Sequence, residues 1–384
     1  MAQRRRIALI FEVLPDWMGG TYYVLNIINT LNALPDDEKP EIVLLTKNSD
    51  DFLFLKERSQ YPYLIEKVLF RKPSLFIRGI NKIYRLITKK NYNLIIPKFK
   101  ESVEAIYPVN DINRLSSDSK KIYWIPDFQE KYLPELFDLQ NLKLRDTIIK
   151  DIIKKGDYLV LSSHNAFDSL LKFYPEAKKL NLSIYNFTVS IPDLSKIDKS
   201  LTYEKFDIDR PFFYCANQFW IHKNHKLLFE AVKLLKDRGH HNFLLLCSGG
   251  INDFRHPNYM VELKKYLEDN SLENNIKILG LIDREDQLCL MQNSEAIIQP
   301  SLFEGWNTSV EEAKALNKFL ILSDLDVHKE QVPQNAFFFN RNSAIDMADK
   351  IEEFLNNKPE IKPINYKLSI QKAARNFLNI MYQK

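Results

Sequence analysis

The chain has little glycine and little cysteine: nine glycines and three cysteines in 384 residues. The glycines form no complete G-x-G-x-x-G phosphate-binding pattern. The cysteines, Cys215, Cys247 and Cys289, are odd in number, widely spaced and set in apolar surroundings. This distribution argues against disulfides and against a metal site, and it predicts reduced thiols in the core of a cytoplasmic protein.

Long hydrophobic runs and a strong charge of one sign are also missing. The longest uncharged window, residues 17–35, contains three asparagines whose amides would be costly in hydrocarbon, so no transmembrane helix is predicted. The basic start is followed by only five apolar residues before Glu12, which predicts a first strand rather than a signal peptide. A net charge of +4, without an aromatic-basic repeat, argues against a nucleic-acid partner.

The chain is long, and strand-like and helical stretches alternate along it. Its 384 residues suit two domains, and strand-like and helical stretches alternate in both halves, which predicts parallel sheets covered by helices on both faces. We predict an N-terminal domain at 1–198, ending in a strand at 187–190, and a C-terminal domain at 211–365. The polar stretch 192–210 is predicted to be an irregular linker.

The first strand and helix are the opening unit of a doubly wound fold. The strand is predicted at Arg6–Val13 and the helix at Thr21–Leu34, with Gly19 and Gly20 in the loop between them. Two glycines there would let the backbone approach an anion closely. An ordinary strand-to-helix turn explains the same residues equally well.

Two glutamates bracket the loop that follows a predicted strand at 296–299. Glu304 lies in the loop, and Glu312 lies about one turn inside a helix that begins near Thr308. The N-terminal end of a helix suits a phosphate, because it exposes unpaired N–H groups and the positive end of the helix dipole. Carboxylates beside it can accept hydrogen bonds from sugar hydroxyls. The arrangement predicts a nucleotide-sugar site.

The same residues have a purely structural alternative. Thr308 with Glu311, or Ser309 with Glu312, fits a capping box, and Glu304 would then be a solvated loop acid. The residues alone leave both interpretations open.

The stretch 303–316, Phe-Glu-Gly-Trp-Asn-Thr-Ser-Val-Glu-Glu-Ala-Lys-Ala-Leu, resembles the E-x7-E region of group 1 (family 4) retaining glycosyltransferases. The flanking stretches 321–324 and 327–331 are similar to that family as well. The resemblance implies that Glu304 contacts the donor sugar and Glu312 the ribose. It also implies that the amides of Asn307, Thr308 and Ser309 contact the diphosphate.

The loop at 217–225, Asn-Gln-Phe-Trp-Ile-His-Lys-Asn-His, resembles the family loop that carries an arginine and, five residues later, a lysine. Lys223 matches the lysine, whereas Gln218 stands in place of the arginine. The resemblance implies that Lys223 stabilises the departing diphosphate. Because Gln218 replaces the arginine, Lys223 should provide a larger share of the electrostatic stabilisation than it does in the family. It further implies that Gly19 and Gly20 face the diphosphate and that the backbone near Leu281 meets the nucleobase.

The stretch 124–129, Trp-Ile-Pro-Asp-Phe-Gln, resembles a segment found in one branch of the family, in which a histidine often follows. Glu130 stands at that place here. The resemblance makes Asp127 and Gln129 candidates for contact with the acceptor. A cap of the local turn is the alternative role for them.

The basic charge is concentrated at residues 66–100, where ten lysines and arginines stand against one glutamate. That stretch has a net charge of +9, so the rest of the chain has about −5. Bulky apolar residues interleave with the basic ones, which fits a helix lying on an anionic membrane surface. The commoner arrangement, and the one favoured on frequency, is a helix with its apolar face buried and its basic face solvated.

The resemblance as a whole implies an α/β protein with the B-type glycosyltransferase fold: two Rossmann-like domains facing across a cleft, and a C-terminal helix at 366–384 that crosses back to the first domain. It implies a retaining, metal-independent transfer to a glycan or lipid-linked acceptor. A nucleotide-diphosphate sugar is the donor substrate, and no further cofactor is needed. Asp324 and Asp326 fall where the family has no metal ligand. A nucleotide-sugar epimerase, a phosphorylase and an inactive nucleotide-binding scaffold on the same fold are the alternatives.

Overall fold

The structure is a computed structural model that describes residues 4–14, 18–71, 73–88, 93–332 and 334–383. Its residues group into two compact units. Unit 1 consists of Met1–Phe128, Asp138–Val189 and Lys367–Lys384, and unit 2 consists of Gln129–Phe137 and Ser190–Tyr366.

The strands, in chain order, are β1 (Arg6–Ile10), β2 (Glu41–Thr46), β3 (Leu64–Val68), β4 (Ala105–Val109), β5 (Lys120–Ile125), β6 (Tyr158–Leu161), β7 (Asn181–Ile184), β8 (Phe212–Ala216), β9 (Leu244–Ser248), β10 (Ile276–Gly280), β11 (Ile297–Gln299), β12 (Leu320–Ser323) and β13 (Ala336–Phe339). All of their pairings are parallel. Central strands such as β2 and β8 are buried on both faces, as strands covered by helices on each side must be.

The helices are α1 (Met18–Asn32), α2 (Ser49–Ser59), α3 (Leu75–Thr88), α4 (Gln129–Tyr132), α5 (Leu139–Lys155), α6 (His164–Phe173), α7 (Lys199–Lys205), α8 (His225–Asp237), α9 (Tyr259–Asp269), α10 (Arg284–Asn293), α11 (Thr308–Ala315), α12 (Asp326–Gln331), α13 (Ala344–Asn356) and α14 (Tyr366–Tyr382). None of those in the described parts of the chain is both long and apolar enough to cross a membrane.

Each unit has a doubly wound sheet. The strand order is β3-β2-β1-β4-β5-β6-β7 in unit 1 and β10-β9-β8-β11-β12-β13 in unit 2. The order reverses between β1 and β4 in unit 1 and between β8 and β11 in unit 2, and ligands of such sheets bind at the carboxyl ends of the strands beside that point. The predicted α/β fold with two Rossmann-like units is confirmed.

The C-terminal helix connects the two units. α14 begins at Tyr366 in unit 2, and from Lys367 onward it belongs to unit 1. In unit 1 the Phe377 ring packs 5.6 Å from the Tyr107 ring and 5.1 Å from the Tyr185 ring, and Arg375 pairs with Glu38 at 3.0 Å. This is the crossover helix that the fold prediction required.

The strand predicted at 187–190 is wrong. The last strand of its sheet is β7, and residues 187–190 form no strand. Phe187 packs its ring against Tyr23 of α1 instead, and Thr188 bonds to Thr30 of the same helix. Phe187 and Thr188 are buried because they cover a helix, and a short stretch of aromatic and β-branched residues cannot tell a strand from such a segment.

The stretch 192–210 is not irregular, because it contains α7. The carboxylate of Asp198 caps this helix, and Lys205 binds Asp286 of α10 at 2.6 Å. Local capping and ion pairs stabilise the segment, and neither produces an apolar periodicity. By contacts, unit 2 also includes residues 129–137 and 190–198, which the sequence-based boundaries had assigned to the first domain. Those boundaries stay a prediction.

The glycine pair lies in a helix rather than in a loop. α1 begins at Met18, so Gly19 and Gly20 are in its first turn. Residues 15–17 of the preceding loop lie outside the described residues.

The apolar side chains of α3 are exposed. Only Asn81 of this helix is buried, whereas Leu75, Phe76, Ile83, Leu86 and Ile87 are 58 to 80% exposed. The expectation that α3 buries its apolar face is therefore wrong. Lys72, Lys89 and Lys90 of the basic stretch lie outside the described residues.

Gly249, just after β9, is required by the packing of unit 2. Its φ is +146°, and a Cβ added there would lie 2.1 Å from the carbonyl oxygen of Asn217. A side chain at this position would meet both the steric clash and an unfavourable backbone conformation.

We therefore expect Gly249→Ala to lower the free energy of unfolding by about 2 to 4 kcal/mol. Gly250→Ala is the matched control, because a Cβ at Gly250 has no neighbour within 4 Å. Its effect should stay within about 0.5 kcal/mol. Urea unfolding of both variants measures the difference, and equal stability of the two would contradict the packing described here.

Candidate active site

Two loops meet where the strand order of unit 2 reverses. One follows β8 and carries Lys223, and the other joins β11 to α11 and carries Glu304. The N–H of Leu302 donates to the carbonyl oxygen of His222 at 2.7 Å, so the backbones of the two loops are joined. The hydroxyl of Ser309 also donates to the carbonyl oxygen of Ala216 at 2.7 Å, which ties the start of α11 to the end of β8.

The central contact of these loops is an ion pair between Lys223 and Glu304. The Nζ of Lys223 lies 2.6 Å from Oε1 of Glu304, and the two side chains are only 16% and 8% exposed. The same Oε1 also accepts from the hydroxyl of Ser301 at 2.6 Å and from Nδ2 of Asn307 at 3.0 Å. The second carboxylate oxygen of Glu304, Oε2, accepts no hydrogen bond within the described residues. It is therefore available to a hydroxyl group of a ligand.

The N-terminal end of α11 lies beside that ion pair. Asn307 caps the helix by accepting from the N–H of Val310 at 3.2 Å. The N–H groups of Thr308 and Ser309 donate to no other group in the described part of the chain. Two unpaired amides at a helix start, with a lysine close by, form an arrangement suited to a phosphate.

Neither predicted capping box forms. Asn307, one residue earlier, is the cap. Glu311 receives hydrogen bonds from Lys314 and Gln331, and Glu312 pairs with Arg284, so neither acid reaches back to the start of the helix. Glu304 is buried and is not a solvated loop acid.

Gln331 of α12 holds the start of α11 in place. Its Nε2 donates to the carbonyl oxygen of Asn307 at 2.8 Å, and its Oε1 accepts from the N–H of the same residue at 3.2 Å. Its Nε2 also lies 2.9 Å from Oε1 of Glu311, whose other oxygen accepts from the hydroxyl of Tyr366 at 2.6 Å. A buried chain of hydrogen bonds thus runs from Glu304 through Asn307 and Gln331 to the first residue of α14.

The second glutamate, Glu312, is buried and has a cation of its own. Its Oε1 lies 2.7 Å from Nη1 of Arg284, and Nε2 of Gln287 lies 3.4 Å from its Oε2. Burial raises the pKa of the Glu312 carboxyl, and Arg284 opposes that rise. Arg284 therefore helps to keep a buried carboxylate ionised.

Two further polar side chains in this region are buried with an unpaired nitrogen. Nε2 of His328 and Nε2 of Gln299 have no hydrogen-bond partner among the described residues. Burial lowers the pKa of His328 to about 4, so its ring is neutral at physiological pH. Oε1 of Gln299 accepts from Asn217 at 2.6 Å and from Asn307 at 3.2 Å, which links the β8 loop to the helix cap.

The remaining predicted residues lie elsewhere. Gln218 lies in the β8 loop, and Leu281, which is exposed, directly follows β10. Asp127 follows β5 in unit 1, and Gly19 and Gly20 lie at the start of α1 in the same unit. Their contacts with a donor or an acceptor stay predictions. No cluster of three or more histidine, cysteine or acidic side chains able to hold a metal ion occurs in the described ranges.

The side chains that surround the two acids were not predicted from the sequence. Ser301, Gln299, Arg284 and His328 had not been singled out, and the side-chain role of Gln331 had not been predicted. Ser301 lies three residues before Glu304, which is a usable signal. Arg284 and Gln331 are distant from their partners along the chain, so only the fold reveals them.

Comparison with known proteins agrees with this description. Residues 198–377 match the family described as "Glycosyl transferases group 1". The O-antigen chain mannosyltransferase RfbU of Salmonella typhimurium is 24% identical over 217 residues, which are 56% of this chain and 55% of that protein. The N,N'-diacetylbacillosaminyl-diphospho-undecaprenol alpha-1,3-N-acetylgalactosaminyltransferase of Campylobacter jejuni is 30% identical over 165 residues, 42% of this chain and 40% of that protein. The chain thus spans about half or less of the length of these relatives.

Solved structures are similar over nearly the whole chain. A glycosyltransferase from Rickettsia africae has a TM-score of 0.62 and 18% identity, with 99% of this chain and 96% of that chain covered. Anabaena Alr3699/HepE, in complex with UDP and glucose, has a TM-score of 0.67 and 15% identity, with 99% and 98% covered. At this identity the likeness concerns the fold alone. Residues 198–377, slightly less than half of the chain, thus match the group 1 glycosyl transferase family, and the resemblance predicted from the sequence is confirmed.

Proposed function

We propose that the protein transfers a sugar from a nucleotide-diphosphate sugar to a glycan or lipid-linked acceptor, with retention of configuration, in bacterial polysaccharide or glycoconjugate biosynthesis. The observation that carries this proposal is the buried pair of Lys223 and Glu304 beside the unpaired amides of Thr308 and Ser309. An open carboxylate oxygen suits a sugar hydroxyl, and the lysine with the amides suits a phosphate.

The relatives support the class of donor and acceptor. One is named as an O-antigen chain mannosyltransferase, and the other as a transferase acting on a sugar linked to diphospho-undecaprenol. HepE, which has a similar fold, was solved with UDP and glucose. We carry over the class of reaction, and not the particular sugar, because pocket shape decides the sugar.

In the proposed reaction the acceptor oxygen bonds to the anomeric carbon while the bond from that carbon to the diphosphate oxygen breaks on the same face. The leaving phosphate takes the proton of the acceptor hydroxyl. Lys223 and the α11 amides stabilise the negative charge that accumulates on the diphosphate. Glu304 holds the donor sugar, and Glu312 holds the ribose. The nucleotide sugar is a substrate, and the proposal includes no other cofactor.

The proposal predicts that Lys223→Ala, Glu304→Gln and Glu312→Gln each lower the rate of sugar transfer by about 100-fold or more, because each loses a contact to the donor or to the charge that develops on it. Release of the nucleoside diphosphate from a panel of nucleotide sugars, with a lipid-linked glycan acceptor, measures that rate.

Lys226→Ala is the matched control for Lys223→Ala, since Lys226 lies three residues further on and is exposed. It should leave the rate unchanged. Far-ultraviolet circular dichroism and thermal unfolding check that all four variants are folded. Rates equal to wild type in the three site variants would remove the site assignment.

Product analysis separates the proposed reaction from its alternatives. We expect NMR of the purified product to show the anomeric configuration of the donor, because attack and departure occur on one face, and we expect a chelator to leave the rate unchanged. A product of inverted configuration would contradict retention. Conversion of the donor sugar into another sugar without an acceptor would indicate an epimerase. Release of a sugar phosphate would indicate a phosphorylase. Tight nucleotide binding without release of the sugar would indicate an inactive scaffold.

We further propose that α3 attaches the protein peripherally to the cytoplasmic face of a membrane, where a lipid-linked acceptor is found. At 100° per residue, its five exposed apolar side chains fall within an arc of about 120°. Arg78, Lys82 and Arg85 fall within an adjacent arc of about 60°. Asn81 holds the buried side of the helix through the backbone of Ile95, at 2.9 and 3.2 Å. An apolar stripe flanked by cations is typical of a helix lying in a membrane surface.

Vesicle co-sedimentation tests this attachment. Wild type should bind vesicles of anionic phosphatidylglycerol more tightly than vesicles of neutral phosphatidylcholine, and added salt should weaken the binding. The triple variant Arg78→Gln, Lys82→Gln, Arg85→Gln should bind about a hundredfold more weakly, since each cation contributes about 1 kcal/mol.

Leu86→Ser should also weaken the binding, whereas Leu139→Ser should not. Leu139 of α5 is as exposed as the leucines of α3 but lies outside the basic stretch. Equal affinity for both kinds of vesicle, or no affinity for either, would refute the attachment.

A further inference from the structure

The loop after β9 lies beside the loop that carries Lys223. The N–H of Phe219 donates to the carbonyl oxygen of Gly250 at 2.9 Å, and the N–H of Ile221 donates to Oδ2 of Asp253 at 3.2 Å. These bonds hold the two loops together. Residues shortly after Asp253 therefore have a defined position relative to Lys223.

Arg255 is such a residue, and its guanidinium packs onto the Lys223 loop. The side chain is 14% exposed. The guanidinium carbon lies 5.3 Å from the ring centre of Trp220 and 5.4 Å from that of Phe137. Nε lies 3.4 Å from Oδ1 of Asp253, and Nη2 lies 3.4 Å from Nδ1 of His222. Both polar contacts are at the long limit for a hydrogen bond.

The hydrogen-bonding capacity of Arg255 is therefore largely unused. A guanidinium has five donors in a planar fork that matches the oxygens of a carboxylate or a phosphate. Here its one carboxylate neighbour, Asp253, already accepts from the backbone N–H groups of Ile221 and Arg255. Nη1 donates to no other residue that the structure describes. The ion pair with Asp253, at 3.4 Å, is thus long for a cation that is only 14% exposed, and it engages only Nε of the guanidinium.

The loop that carries Lys223 has no second cation of its own. Lys223 is the only lysine or arginine at 217–225, and Gln218 is uncharged. His222 lies against Arg255, and burial, Lys223 and Arg255 together hold its pKa well below the usual range, so the ring is neutral. The charges of Lys223 and Arg255 thus both act on the ring of His222.

We propose that Arg255 is a second cation for the donor diphosphate and binds its oxygens through Nη1 and Nη2 from the β9 loop, while Lys223 binds from the β8 loop. The inference rests on the proposed function. Packing of the guanidinium on Trp220 and Phe137 keeps the fork in position before the donor arrives.

Binding of UDP, GDP and ADP, measured by isothermal titration calorimetry at several salt concentrations, tests this role. Arg255→Gln should weaken the binding of the preferred diphosphate by about ten- to a hundredfold, as expected for the loss of a charged hydrogen bond. The salt dependence of binding should also decrease, because one cation is missing. Arg255→Lys should recover part of the diphosphate affinity and part of its salt dependence.

Arg238→Gln is the control, because Arg238 pairs with Asp349 and Glu352 at the far end of α8, and it should bind as wild type does. Unchanged affinity in Arg255→Gln would overturn the inference and leave the proposed function intact. Weaker binding with an unaltered salt dependence would also overturn it, because a positioning role produces that result. If wild type binds none of the three diphosphates, the proposed function itself fails.

Discussion

The arrangement of unit 2 depends on one requirement: the opposite charges of Lys223 and Glu304 are both largely removed from water. Burying a single charge costs several kcal/mol, and an ion pair repays that cost only when further hydrogen bonds complete it. Ser301 and Asn307 provide those bonds to Oε1 of Glu304. The pair therefore cannot exist unless three loop residues and the lysine are held in one geometry.

Residues outside the loop provide that geometry. Gln331 holds both backbone groups of Asn307, and Glu311 holds Gln331 and the hydroxyl of Tyr366. This series of hydrogen bonds has two ends. One end is the acid beside the predicted donor, and the other is the first residue of the helix that continues into unit 1. Tyr366 is thus joined to Glu304 by a continuous series of buried hydrogen bonds.

The sequence predicted the elements of the fold far better than their side-chain contacts. α11 begins at Thr308 and α14 at Tyr366, the positions at which the sequence predicts these helices to start. Residues 187–190 were misassigned because this short stretch of aromatic and β-branched residues covers α1 instead of joining the sheet. α3 was misassigned because sequence periodicity shows that a helix has an apolar face but not whether another part of the protein covers it.

Some residues of the candidate site could likewise be predicted from the sequence, and others could not. Glu304 and Glu312 were recognisable because they lie within nine residues of one another and of a helix start. Lys223 lies 81 residues from Glu304 and was identified only through the resemblance to a family. Arg284, Gln331 and Arg255 were missed because they act on loops that the chain brings together from separate strands, and the charge of a side chain alone does not indicate its partner.

The burial of the ion pair between Lys223 and Glu304 also bears on what kind of protein this is. Lys223 is already desolvated and paired, so its charge can be turned toward a phosphate without first losing a full hydration shell. The interaction of a fixed cation with its ligand strengthens as negative charge grows on that ligand. Such charge grows on the diphosphate as its bond to the sugar breaks. A protein that only stored a nucleotide would need the cation, but it would not need beside it the carboxylate that we propose holds the sugar. The pairing of Lys223 with Glu304 therefore favours transfer over binding alone.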